Sequence, residues 1–349
     1  MGRHVAGECP QLDRLVDEAC ASIGSEVAAM KMPRLAGVVL GGGYGRGEGG
    51  AKEKLESNLQ LKTPTPTLTL SNDLDFFAIT EPGVSEAEAV AEIAAALEPV
   101  SKKWTAELGV DVDFAVKTPW RLKHDEERLM VQELLRGHFD VAGKKGEELF
   151  AGIRSVDAAE LPWSEAVRLL MNRGMGLLLA KEEGRKREEG RGKREEGRGK
   201  KEGESGEGTS DFINRNINKC VLGAGDARLI ARGAYRWKAE DRAAALGDAL
   251  YSSAVDWKFR PKAEPVCDWE KARDVWLAAL EEVSRCSRAA RSSRNLRNAA
   301  RWLVRRHSLG ELRTFALDPV VRVLETVARH VREGRKASDS LMRDWKVFN

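Results

Sequence analysis

No apolar run in the 349 residues approaches about 18 positions, which argues against a membrane-spanning helix. Residues 1–10 hold no apolar stretch of the signal-peptide kind, and Ala6 stands where a myristoylated Met-Gly terminus wants Ser or Thr. Cysteine is sparse: five residues, an odd number, with no Cys-x-x-Cys. That argues against a disulfide framework and against a zinc cage, so reduced thiols in a cytoplasmic chain are expected. The five histidines, at 4, 124, 138, 307 and 330, are too scattered to suggest a metal site. A strong charge excess is missing as well; a net +3 announces no nucleic-acid partner by itself. One stretch lacks hydrophobic residues altogether. Lys181–Gly208 contains none and repeats Arg187-Glu-Glu-Gly-Arg-Gly-Lys193 word for word at 194–200. Nothing there can bury enough surface to offset ordering entropy, so a disordered low-complexity insertion over 181–208 is expected.

What is present is organised around two stretches. Ala36–Leu40 is a short apolar run within Leu35–Leu40, read as a buried strand, and it leads straight into a glycine-rich turn, Gly41–Gly50. Further on, Leu74–Ile79 reads as a second strand, with Asp73 and Asp75 two residues apart. Side chains alternate along a strand, so both carboxylates should share a face. Two carboxylates about 5 Å apart repel by roughly 3 kcal/mol at an effective dielectric of about 20. A divalent cation removes that cost, and Mg²⁺ commonly takes one or two carboxylates together with substrate phosphates.

Around these stretches the periodicity predicts a helix over 11–31, an exposed loop over 51–70 and a helix that starts at the Ser85/Glu88 capping box. Thr63-Pro-Thr-Pro-Thr67 argues against a central strand in the loop. Pro99 should end or kink the helix, with a further helical segment running to a stop at Gly109. Val110–Val116 is a third alternating strand, carrying Asp111 and Asp113 on one face, and 125–136 reads as helix. Strands with helices between them point to a small α/β domain over 1–140, followed by a linker at 141–161. From Pro162 the chain reads as all-helical, with helices over 163–180, 212–232, 239–258, 268–287, 292–307 and 319–333.

Gly42-Gly-Tyr-Gly-Arg-Gly-Glu48, then Asn72-Asp-Leu-Asp-Phe76, then Val112-Asp-Phe114 resembles the DNA polymerase beta-type nucleotidyltransferase superfamily. Within it, the chain is most similar to the small nucleotidyltransferases, including aminoglycoside-modifying and antitoxin-like ones. Arg168–Arg173, Asn218–Asp226 and Gly233-Ala-Tyr235 loosely resemble the helical domain that accompanies some of them. The resemblance covers residues 36–116 well and 162–242 loosely. It implies an α+β protein: an N-terminal nucleotidyltransferase-type domain with a small mixed sheet, then a helical domain over 162–349. It also implies that Asp73 and Asp75 bind two Mg²⁺ ions, with Asp113 as third carboxylate and general base. Gly42 and Gly43 would meet the phosphates of ATP or another nucleoside triphosphate through their backbone. The reaction implied is transfer of a nucleoside monophosphate, AMP foremost, to an acceptor hydroxyl with release of pyrophosphate.

The chain departs from the pattern twice. Gly43 replaces the usual turn serine, and the turn lies farther than usual from Asp73. Asp111 is the competitor of Asp113 for the third carboxylate. Arg46 is a candidate triphosphate contact or a solvated turn residue, and Glu48 a candidate assistant at the metal or, preferred, a helix cap. Lys219 and Asp226 fall two helical turns apart, as nucleotide or acceptor contacts or as members of an interhelical ion pair. Asn172 and Arg173 read as structural. A small-molecule alcohol ranks first as acceptor, a protein hydroxyl second and an RNA end third. The alternative reading is a non-catalytic nucleotide- or RNA-binding protein. It would use the arginine stripe Arg285, Arg288, Arg291, Arg294, Arg297, Arg301 and Arg305.

Overall fold

The computed structural model describes residues 2–56, 65–195, 205–290 and 319–348. The chain is mixed α and β, with a small mixed sheet and a helical C-terminal region. It divides into two units, Met1–Asp157 with Lys258–Lys262, and Ala158–Trp257 with Ala263–Asn349.

The first unit is built on a four-stranded sheet. Its strands are β1 (Leu35–Leu40), β4 (Leu74–Thr80), β5 (Val112–Lys117) and β6 (Phe139–Gly143), in the order β5-β4-β1-β6. β4 and β5 run parallel, while β1 is antiparallel to both β4 and β6. The alternation of the strands divides their side chains between two cores. Val38, Leu40, Leu74, Phe76, Ala78 and Val112 pack with α1 (Pro10–Ala29) and α3 (Glu86–Leu108). Val39, Phe77 and Ile79 pack with Leu122 of α4 (Pro119–His124), Val131 and Leu134 of α5 (Leu129–Arg136) and Leu149 of α6 (Gly146–Leu149). The sheet is therefore covered on both faces. β6 straddles the boundary expected between the domain and its linker at 140/141.

Four local expectations change. The 51–70 excursion is not a loop at its ends: β2 (Ala51–Glu56) and β3 (Thr65–Leu70) form a separate antiparallel ribbon. Both strands of a two-stranded ribbon are edges, so Pro66 opposite Leu55 is tolerated there. Ser85 takes the cap position, its hydroxyl accepting the Glu88 N–H at 3.4 Å, but α3 then runs unbroken through Pro99 to a left-handed Gly109. The helix expected over 125–136 starts later, because Asp125 caps the end of α4 and α5 begins only at Leu129.

The fourth change concerns the hydrophilic stretch. α7 (Trp163–Glu195) and α8 (Ser205–Arg232) extend into it from both sides, so the disordered insertion expected over 181–208 is helical over 181–195 and 205–208. Residues 196–204 lie outside those described. The apolar part of α7 is already nucleated by packing, and adding further turns costs little for Glu, Lys and Arg. Pairs such as Arg185–Glu189 and Lys186–Glu183 support the extension.

Among its described residues the second unit has helices and their connections, with no strand. α7 and α8 pack with α11 (Trp269–Ala290) and α12 (Pro319–Glu333). α9 (Ala239–Leu246), α10 (Ala249–Phe259) and α13 (Asp339–Phe348) complete it, α10 giving its last two residues to the first unit. α13 has no counterpart in the sequence reading, and the helix expected over 292–307 lies outside the described residues. Four indoles each donate their N–H to a backbone carbonyl: Trp163 to Val283 at 3.0 Å, Trp257 to Glu264 at 2.9 Å, Trp269 to Leu177 at 2.8 Å and Trp276 to Leu170 at 2.9 Å.

One carboxylate gathers the backbone of the N-terminal arm of the first unit. Asp13 accepts backbone N–H groups from Arg3 at 2.9 Å, His4 at 2.8 Å and Val5 at 3.0 Å. Burial pulls its carboxyl upward, but the three donors and the nearby His4 outweigh that and hold it below the ordinary value. A depressed folded value means stabilisation that is fully present above the unfolded value, about pH 4, and is lost as pH falls through the folded one. Urea unfolding between pH 6 and pH 2 should therefore show a smaller acid loss in Asp13→Asn than in wild type. Equal acid losses in the two proteins would exclude this contribution.

Candidate functional site

The glycine turn and the acidic strand starts meet at one end of the sheet. β1 ends at Leu40, paired with Phe76, and the chain enters α2 (Gly42–Gly45), a single helical turn. The Gly41 N–H donates to the Asp75 carbonyl at 2.8 Å, which fixes the start of the turn against β4. Gly42 has φ +59°, and a Cβ built there would lie 2.2 Å from Asp75 Oδ2. Only a residue without a side chain lets that carboxylate lie against the turn. At Gly43 the nearest atom to an added Cβ is 3.4 Å away, so a serine would have room and its absence is not forced by packing.

In the parallel pairing, Asp75 is the register partner of Asp113. Asp111 lies just before β5, where its carbonyl accepts the Leu74 N–H at 2.8 Å. Asp113 is thus the acid that β5 sets opposite Asp75. Partial burial, then the negative charges of Asp111 and Asp73, push the Asp113 carboxyl above its ordinary value. Asp73, Asp75, Asp111 and Asp113 therefore form an acidic rim beside the glycine turn. Among the described residues, no three His, Cys, Asp or Glu side chains are gathered tightly enough to hold a metal ion by themselves.

Beneath the rim lies a set of ions. Arg46 Nη1 pairs with Glu133 Oε2 at 3.1 Å, and its Nη2 lies 3.8 Å from Glu48. Glu48, expected to cap a helix, is instead buried and accepts from Lys258 Nζ at 2.9 Å. Arg46 is accordingly neither a solvated turn residue nor directed only at the turn: its guanidinium is shared between two carboxylates. Lys258 is 210 residues from Glu48 in sequence, so no spacing rule could have joined them.

Lys219, on α8 in the second unit, is half-buried. Asp226, two turns further along, accepts from Arg242 Nε at 2.9 Å and from the Tyr251 hydroxyl at 2.5 Å. Its role is the interhelical ion pair, made with α9 rather than with Lys219. Asn172 accepts the Trp345 indole N–H at 2.9 Å, a contact within the second unit. Of the arginine stripe, Arg285 pairs with Glu281 at 3.0 Å, and Arg291 to Arg305 lie outside the described residues. No described helix is long and apolar enough to cross a membrane. No protein-family model, curated protein or solved structure matches the chain.

Proposed function

We propose that the first unit is a nucleotidyltransferase-type domain that moves a nucleoside monophosphate, AMP from ATP foremost, onto an acceptor hydroxyl of a small molecule or protein. The observation that carries this reading is the pairing of Asp75 with Asp113 on parallel strands beside a glycine turn that touches Asp75. The donor set also suits a divalent cation. Carboxylates are hard oxygen donors, and the upward pull of Asp73 and Asp111 on Asp113 is the self-repulsion that a cation relieves. Asp73, Asp75 and Asp113 would hold Mg²⁺, two ions in the fullest form, with phosphate oxygens completing the coordination. When bound, Mg²⁺ supplies charge stabilisation at the phosphate.

The chain's own residues have separate tasks. The Gly42–Gly43 backbone allows phosphate to approach closely. Asp113 takes the acceptor's proton as the acceptor oxygen bonds to the α-phosphorus and the bond to pyrophosphate breaks. Asp73 and Asp75 keep that end of the sheet anionic, so that it takes a nucleotide together with its cation. Held in place, acceptor and triphosphate react with most of the entropic cost already met on binding.

Thermal-shift titration with ATP, GTP, CTP and UTP, with and without Mg²⁺, tests the reading. Stabilisation that needs both a nucleotide and Mg²⁺, and that disappears in Asp73→Asn/Asp75→Asn, is expected. No shift with any nucleotide at millimolar concentration would overturn it.

A further inference from the structure

Tyr44 is fully buried although it lies within the glycine turn. Its hydroxyl donates to the Gly50 carbonyl at 2.7 Å and accepts the backbone N–H groups of Ser71 at 3.1 Å and Asn72 at 3.3 Å. One oxygen thus joins the end of the turn to the two residues that lead into Asp73. Two further bonds lie beside it: the Ser71 N–H also reaches the Gly50 carbonyl at 3.2 Å, and Asn72 Oδ1 accepts the Gly50 N–H at 2.6 Å. The other end of the same tyrosine is fixed too, its carbonyl lying 3.1 Å from His4 Nδ1.

We infer that the Tyr44 hydroxyl is a positioning group that sets the backbone before Asp73, and so the placing of Asp73 beside Asp75 and the turn. The inference rests on the proposed nucleotidyltransferase reading, in which those carboxylates meet a cation carried by the nucleotide. Three features support it. Asp73 precedes the first residue of β4, so ladder hydrogen bonds do not hold it as they hold Asp75. The two N–H groups that Tyr44 accepts are those of the residues just before it. The hydroxyl is buried, so water cannot replace it readily once it is removed.

Tyr44→Phe removes one oxygen and keeps the ring in place. Two measurements test the inference. The first is hydrogen exchange without ligand. In wild type the Ser71 and Asn72 amides should exchange as slowly as those of β4, and Tyr44→Phe should speed both at least about tenfold. The second is the Mg²⁺ midpoint of ATP-dependent thermal stabilisation. It should rise about tenfold in Tyr44→Phe, while Asn72→Ala, which keeps the hydroxyl, moves it less than about threefold. A tenfold rise is about 1.4 kcal/mol, in the range of a lost buried hydrogen bond. An unchanged midpoint in Tyr44→Phe, or an equal rise in Asn72→Ala, overturns the inference while leaving the reading intact. Failure of wild type to respond to Mg²⁺ and ATP overturns the reading, and the inference with it. If Tyr44→Phe does not fold, the wild-type amides decide: fast exchange at Ser71 and Asn72 overturns the inference, and protection supports it.

Discussion

Replacing Asp113 by asparagine is expected to slow transfer by about 10²–10⁴-fold, the usual worth of a positioned general base, once an acceptor is in hand. Asp73 and Asp75 remain in that variant, so Mg²⁺-dependent stabilisation by nucleotide should persist while turnover is lost. Stability should move in the opposite direction. The Asp113 carboxyl is pushed up by partial burial and by Asp111 and Asp73, so its ionised form is disfavoured in the fold. A group whose folded value is raised lowers stability once pH climbs past its unfolded value and it loses its proton. Removing that charge should raise the ligand-free melting temperature at neutral pH. The base must be deprotonated to act, so the wild-type rate should rise with pH as Asp113 loses its proton. A variant at wild-type rate would remove Asp113 from the base role, and Asp111→Asn would then be the next variant to measure.

The largest effect on stability is expected in the second unit. Trp276 is fully buried on α11, and its indole donates to the Leu170 carbonyl of α7 at 2.9 Å. A Cβ built at Gly174 would lie 2.7 Å from Trp276 Cζ2, so the ring fills space left by the glycine. Val327 of α12 meets the same position, its Cγ1 2.5 Å from that Cβ, so three helices converge there. Trp276→Ala should cost about 3–5 kcal/mol, since the cavity adds to the lost transfer energy. Domains of this kind hold about 5–15 kcal/mol in all, so the variant should sit near its unfolding threshold. Trp276→Phe should lose less, because it keeps most of the ring volume while giving up the indole hydrogen bond. Urea unfolding followed by helical circular dichroism measures both. A loss below about 1 kcal/mol in Trp276→Ala would mean that the helices collapse around the gap.

The sequence made the sheet end legible because its cues are local. The apolar run before the turn, the two-residue spacing of Asp73 and Asp75, and the alternation through Asp113 each depend on neighbours a few residues away. The β2–β3 ribbon is hidden in the sequence because Pro64 and Pro66 argue against a central strand, whereas a ribbon has only edges. Thr67 and Thr69 alternating with Leu68 and Leu70 were the period-two signal that could have found it. The helical run through Lys181–Glu195 was misread for another reason. Composition measures whether a segment can fold alone, and this one continues a helix that is already packed. Glu48 with Lys258, and Tyr44 with Ser71 and Asn72, join residues that only the folded chain brings near. Burial of a tyrosine within a glycine-rich turn leaves no mark in the spacing of residues.

The scattered cysteines have a practical consequence. Burial, then the charge of Asp17, pushes the Cys20 thiol up to about 12, and Cys220 is raised further still by complete burial. At pH 7 only about one Cys20 side chain in 10⁵ carries the reactive thiolate in the folded state. Cys20 belongs to α1 of the first unit and Cys220 to α8 of the second. Each unit thus carries its own chemical clock. An alkylating reagent reads these two sulfurs mainly when the surrounding helix opens, and peptide mapping of the labelled sites times the breathing of each unit without any engineered probe.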